Sequence, residues 1–97
     1  MAGQIKLSPQ AKNDFADIWD FGAAEWGFDR ADSYADDLRD RMIWLTANSS
    51  VGKRRDDLAP RLLSYPQGNH VIFFRTTAKG IEVARILHER MDITRHL

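Results

Sequence analysis

His70-Val71-Ile72-Phe73-Phe74-Arg75-Thr76, then Thr77-Ala78-Lys79-Gly80, then Ile81-Glu82-Val83-Ala84-Arg85-Ile86-Leu87-His88, is the stretch that decides the fold. β-Branched and aromatic residues dominate both runs and a glycine closes the connection, the composition of two strands joined as a hairpin. A loop of Ala78-Lys79-Gly80, with Gly80 supplying positive φ, predicts Thr77 opposite Ile81, Arg75 opposite Val83, Phe73 opposite Arg85 and Val71 opposite Leu87. Directly paired residues share a face, so this register sets Arg75 and Arg85 diagonally adjacent on one side of the sheet. A slip of one residue sends Arg85 to the other side.

Upstream, Leu62-Leu63-Ser64-Tyr65 reads as a further strand stopped by Pro66-Gln67-Gly68-Asn69. Asn48-Ser49-Ser50-Val51-Gly52 is turn chemistry, and Lys53-Arg54-Arg55-Asp56-Asp57 reads as a charged loop. Before it the period changes from two to three or four. Ala11, Phe15, Ile18, Trp19, Gly22 and Trp26 form one helical stripe, opened by Ser8 as cap and Pro9 at the first helical position. Gly27 ends that helix and Asp29 is placed to cap a second, whose stripe is Ala31, Tyr34, Ala35, Leu38, Met42 and Leu45. Gln4-Ile5-Lys6-Leu7 alternates as a short strand does. The expected fold is α+β: an N-terminal strand, a helical hairpin, then a three-stranded antiparallel meander, all strands in one sheet (β-α-α-β-β-β).

The 97 residues, 43% hydrophobic and 29% charged, suit one domain over residues 1–97. No apolar run approaches the ~20 residues that span a bilayer. The opening Met1-Ala2-Gly3-Gln4-Ile5-Lys6 lacks an apolar leader, so a cytoplasmic location without membrane contact is expected. With no cysteine there is no disulfide framework and no thiolate metal site. Zero net charge conceals an asymmetry: residues 1–50 carry five basic and nine acidic side chains, residues 51–97 nine and five. Either the basic half serves a partner, or an acidic helical layer simply faces water beside a basic sheet. Excesses of this size fall short of a strong polyanion-binding charge, and no direct nucleic-acid binding is expected.

Leu7-Ser8-Pro9, Ala11 through Ile18-Trp19, Trp26-Gly27, and Arg30-Ala31 with Tyr34 and Leu38 resemble the opening of ParE toxins. Val51-Gly52-Lys53-Arg54-Arg55 matches the family's loop, and Ile72-Phe73-Phe74-Arg75 its sheet. The most specific likeness is Arg85-Ile86-Leu87-His88-Glu89-Arg90-Met91-Asp92. This resemblance to the ParE/RelE superfamily implies a toxin neutralised by a ParD-like antitoxin and acting on DNA gyrase, so blocking replication. It implies a binding protein and not an enzyme. The RelE-like branch implies a ribosome-dependent messenger ribonuclease instead, and a degenerate member would be a non-toxic antitoxin-binding module.

The residues bear on that choice. RelE-like cleavage needs a general base, a general acid and cations for the phosphorane charge, commonly with a tyrosine near the C-terminus. Here Tyr34 and Tyr65 are the only tyrosines, and Arg61, Arg75, Arg85 and His88 form no complete set. His88 either contacts a target or anchors the strand end through Glu89 or Asp92, while His70 and His96 read as isolated surface residues. Three scattered histidines lack metal-ligand spacing, so no metal and no cofactor are expected. Arg75 and Arg85 either grip a partner's carboxylate or pair with acids of the helical hairpin. Trp19 and Trp26 lie on the core stripe, whereas Trp44, with Ile43, falls off it and either receives a partner's amphipathic helix or makes a second contact with the sheet or the 51–61 loop. Candidate antitoxin contacts are therefore Trp26, Ile43, Trp44, Phe73, Arg75 and Arg85. Candidate target contacts are Arg85, His88, Arg90, Met91, Asp92, Ile93 and Leu97, most of them in a tail that mixes charge with apolar residues.

Overall fold

The computed structural model describes residues 3–97; Met1 and Ala2, which open the stretch read as lacking a leader, lie outside the described residues. Strand β1 (Gln4–Leu7) leads into helices α1 (Pro9–Trp26) and α2 (Phe28–Ala47), then β2 (Lys53–Arg54), β3 (Leu63–Gln67), β4 (His70–Thr77) and β5 (Gly80–His88). One five-stranded sheet has the order β1-β5-β4-β3-β2, with β1 parallel to β5 and the other neighbours antiparallel. The expected α+β architecture is present with one strand more, because Lys53 and Arg54 pair with Ser64 and Leu63 where a loop was expected.

Ser8 caps α1: its Oγ accepts from the Ala11 amide at 3.0 Å and donates to the Ala84 carbonyl at 2.7 Å. Gly27, φ 92, is the single residue between the helices; its amide reaches the Ala23 carbonyl and its carbonyl takes the Ala31 amide. Few side chains enter a φ of that kind, so glycine is the joint. Asp29, read as the cap of α2, lies instead inside its first turn, where a carboxylate suits the positive helix end.

Alternate residues of the sheet feed two clusters on its two faces. Against the helices, Leu38, Met42 and Leu45 of α2 bury Ile72, Phe74, Val83 and Ile86. On the other face Leu62, Phe73 and Leu87 form a smaller cluster, packed by Leu58 and Ala59 from the loop and by Ile93 from the C-terminal segment.

The β4–β5 register corrects the expected one at the turn. Thr77 pairs with Gly80, Thr76 with Ile81 and Arg75 with Glu82; past an irregularity at Phe73/Phe74, Phe73 meets Arg85 and Val71 meets Leu87 as expected. The connecting loop is therefore only Ala78-Lys79, and a bulge at Ala84 restores the count. Gly80 has φ 159, essentially extended, and its requirement is steric: a Cβ there would lie 2.0 Å from the Gln4 carbonyl oxygen of β1. β3 also runs on through Pro66, which pairs with Val71. β2 covers only Leu63 and Ser64, so Pro66 stands where β3 is a free edge and a missing N–H is tolerated.

Candidate functional site

Three surfaces gather the residues singled out by sequence. The first is the helical hairpin. No residue from Trp19 to Ser33 belongs to either core cluster, so the tip of the hairpin stands clear of the sheet. There Phe21 is 63% exposed, Phe28 69% and Trp26 40%. Trp19 stacks on Phe28 at 5.7 Å and donates to Asp32 at 2.7 Å, while Trp26 meets the edge of Phe21 and lies beneath the Arg30 guanidinium. Asp32, which takes the Trp19 bond, and Asp17, Asp20, Glu25 and Asp29 are the exposed acids on this stretch of the two helices. Trp26, read as core, is thus half out of it, because α1 outruns the sheet that its stripe packs on.

Farther along α2, Ile43 and Trp44 are also exposed. Trp44 touches the Tyr65 ring of β3 at 5.6 Å, and the Arg41 guanidinium lies over both rings and donates to Gln67. Trp44 therefore contacts the sheet and still offers a face to solvent. Asp37, Asp40, Arg41, Trp44 and Gln67 line a shallow recess beside it.

The second surface is the C-terminal segment. Asp14 of α1 accepts both Nε (2.8 Å) and Nη2 (2.9 Å) of Arg85, and also the Ile86 amide (3.0 Å). Nη1 of Arg85 donates to the His96 carbonyl at 2.6 Å. The pair is well enclosed, and the Asp14 carboxylate holds the Arg85 proton more firmly than usual. Asp92 caps a 3-10 turn, Ile93–Arg95, by accepting from the amide and hydroxyl of Thr94, and those bonds lower its pKa. Ile93 packs on the second cluster, while Arg90, Met91 and Leu97 face solvent.

The third is a column of rings: Trp26, Tyr34, His70 and His88, each about 5.4 to 6.1 Å from the next. The Asn69 amide donates to the Tyr34 oxygen at 3.0 Å, and the Tyr34 hydroxyl and His70 Nδ1 share a hydrogen bond of 2.6 Å. Burial, reinforced by His88, lowers the His70 pKa against the opposing pull of Glu89 and Asp14; burial raises that of Tyr34. His88 Nδ1 accepts the Arg90 amide at 3.1 Å. His88 thus anchors the strand end as one reading held, but through Arg90 and not Glu89 or Asp92. His70 is not an isolated surface residue. The signal that would have found it was present: extending the pairing of Val71 with Leu87 by one residue places His70 opposite His88.

Phe73 is 4% exposed, sealed between Leu62 and Leu87, so it offers nothing to a partner directly. Arg85 spends its guanidinium on Asp14 and His96 and is enclosed. Arg75 faces Glu82 across the hairpin and donates to the Pro60 carbonyl at 3.1 Å, so the two arginines do not act as a pair. Pairing with an acid of the helical hairpin holds for Arg85 alone. Among the described residues no group of three or more His, Cys, Asp or Glu is placed to hold a metal, and no helix is long and apolar enough to cross a membrane.

The family described as "ParE toxin of type II toxin-antitoxin system, parDE" matches residues 5–93. A protein of Mycobacterium tuberculosis named "Toxin ParE1" is 36% identical over 98 residues, covering 100% of both chains. One of the same name from Caulobacter vibrioides is 30% identical over 92 residues, covering 95% of each. Among solved structures, a chain of "Chromosomal ParDE TA system from P. aeruginosa" superposes with a TM-score of 0.73 at 20% identity, over 90% of this chain and 96% of that one. At that identity the likeness speaks for the fold.

Proposed function

The chain belongs to the ParE toxin family of type II toxin–antitoxin systems, and from that premise we propose that it works by binding DNA gyrase and is silenced by a ParD-like antitoxin. The observation that carries this reading is the match from residue 5 to 93, which runs from the first strand into the C-terminal segment. The antitoxin side is supported by the apolar surface on the helices: Phe21, Trp26 and Phe28 at the tip, Ile43 and Trp44 along α2. An amphipathic, partly disordered segment that orders on binding covers a large surface of this kind. Asp17, Asp20, Glu25, Asp29 and Asp32 around the tip favour lysine or arginine at the rim of that segment. The target side is assigned to the exposed part of the C-terminal segment: Arg90, Met91 and Leu97, with Asp92 and Ile93 shaping it.

A ribosome-dependent ribonuclease is the second reading, and one observation favours it. Tyr34, His70 and His88 bring three proton-carrying groups together. Against it, Tyr34 and His70 are hydrogen-bonded to each other, and no arginine or lysine side chain donates into this column among the described residues. Phosphoryl chemistry needs such cations at the developing charge.

Inducing the chain in bacterial cells while labelling DNA and protein synthesis separately tests the choice. Gyrase inhibition stops DNA synthesis first, with translation continuing, and co-expressed antitoxin restores DNA synthesis. Early loss of translation with cut messenger would make the ribonuclease reading the right one. Undisturbed growth at full expression would make this a non-toxic binding module.

A further inference from the structure

We propose that Asp14 and Arg85 are positioning residues, which hold the C-terminal segment 91–97 in the conformation that meets the target. The inference rests on the reading of that segment as a target contact, and it starts from a bare sheet edge. β1 accompanies β5 only as far as Val83, so from Ala84 onward the outer edge of β5 has no strand beside it. Helix α1 takes over that edge with two side chains. Ser8 donates to the Ala84 carbonyl, and Asp14 accepts the Ile86 amide. An unpaired edge is thereby closed by a hydroxyl and a carboxylate.

Asp14 does more than close the edge. Its two oxygens accept Nε and Nη2 of Arg85 side by side, a fork-to-fork pair that fixes the plane of the guanidinium. A free arginine side chain has many rotamers, and ordering it costs entropy. Here that cost is met within the domain, and the remaining nitrogen, Nη1, is left aimed at the His96 carbonyl, 2.6 Å away. Two further contacts define the path of the segment: Ile93 on the Leu62, Phe73 and Leu87 cluster, and Asp92 capping the turn. Held at 93 by burial and at 96 by Arg85, the segment turns Met91 and Leu97 outward, each about half exposed. The acceptor at 96 is a backbone carbonyl, so the latch fixes the path of the chain and is indifferent to the side chain there.

A purely structural role, fastening α1 to β5, predicts something different from a latch, and Arg85→Lys separates them. Lysine keeps the charge opposite Asp14 but lacks the planar fork that serves Asp14 and His96 together. Residue-resolved hydrogen exchange reads the result at the Arg95 and His96 amides, which bond within the 3-10 turn, against the core amides of Phe74 and Val83. In R85K the tail amides are expected to exchange about tenfold faster or more, with the core amides within about twofold of the parent. Asp14→Asn is expected to do the same, and His96→Ala to leave tail exchange unchanged. Potency against gyrase in a supercoiling reaction falls with tail protection.

Tail protection within twofold of the parent in both R85K and D14N overturns the proposal. So does a released tail with undiminished potency against gyrase. If the parent chain leaves gyrase untouched, the gyrase reading fails, and the exchange data alone then decide whether Asp14 and Arg85 hold the tail. Should D14N fail to fold, R85K carries the test.

Discussion

Replacing Trp26 with alanine measures how much of the antitoxin's grip the hairpin tip supplies. The side chain is 40% exposed, its remainder packed against Phe21, Tyr34 and Arg30. Of the roughly 250 Å² that a tryptophan offers, about 100 Å² is therefore left for a partner to cover. At about 25 cal/mol per Å² that area is worth up to ~2.5 kcal/mol of binding. A tenfold change in Kd corresponds to about 1.4 kcal/mol, so full coverage predicts a loss of about 60-fold in W26A. Titration calorimetry of the folded variant against its ParD-like antitoxin reads this directly. The variant also loses two aromatic contacts within the domain, worth roughly 0.5–1.5 kcal/mol each, which thermal unfolding reports separately. Phe28→Ala removes a ring that is 69% exposed and packs only on Trp19 among the aromatic contacts, so affinity is expected to fall with little change in stability. If both variants bind the antitoxin within twofold of the parent, the hairpin tip is not part of the interface and the reasoning from exposure fails.

Gly80→Ala is expected to destabilise the fold by about 3 kcal/mol or more, read by denaturant unfolding, because the added Cβ meets backbone atoms of Gln4 that cannot move without freeing β1. Gly27→Ala, at φ 92 and ψ 168 with nothing within 4 Å of the new Cβ, costs roughly 1–3 kcal/mol of backbone strain and meets no clash. A larger loss at Gly27 than at Gly80 would reverse the account of the two glycines. Stability is expected to fall as the solution is acidified below about pH 6.5: unfolded His70 takes its proton near its ordinary pKa of 6.5, whereas the folded residue, buried beside His88, takes it only at lower pH. The unfolded state thus binds more protons across that window; melting profiles of His70→Gln should be flatter there, and an equally steep profile would assign the loss to other groups. Truncation after Glu89 removes Ile93 and the third bond of Arg85, so the domain is expected to lose about 1–2 kcal/mol, stay folded and lose toxicity. Undiminished killing at equal expression would remove the tail from the target interface.

Much of this architecture was legible because it is local. The α2 stripe from Ala31 to Leu45 is one face of a helix, and its members are the buried residues of that helix, Tyr34 alone being half-buried. Gly27 marks a helix end by a conformation that few other residues supply, and Ser8 marks one by its capping hydroxyl. What escaped was set by distant parts of the chain. Gly80 was read as a turn residue, whereas Gln4, brought alongside by the parallel β1 strand, is what demands it. The bulge at Ala84 leaves no mark of its own in an alternating run, so the register was misread near the turn and right beyond it. Phe73 sits on the face away from the helices, and only a fold in which the 58–59 loop and Ile93 cover that face makes it core. Arg85 carried the specific end of the family likeness, but nothing local tells that its partner is Asp14, 71 positions away in sequence. The two candidate surfaces were legible to different degrees. Exposed apolar residues on α2 could be read off the helical period, while the path of the tail depends on contacts that only the folded domain provides.

The most direct test of the central claim is gyrase-catalysed supercoiling of a relaxed plasmid with and without the purified chain. The account predicts lost supercoiling or trapped cleaved DNA, relieved by the antitoxin, with messenger left intact in a parallel translation reaction. Complete supercoiling in the presence of excess folded chain would contradict it.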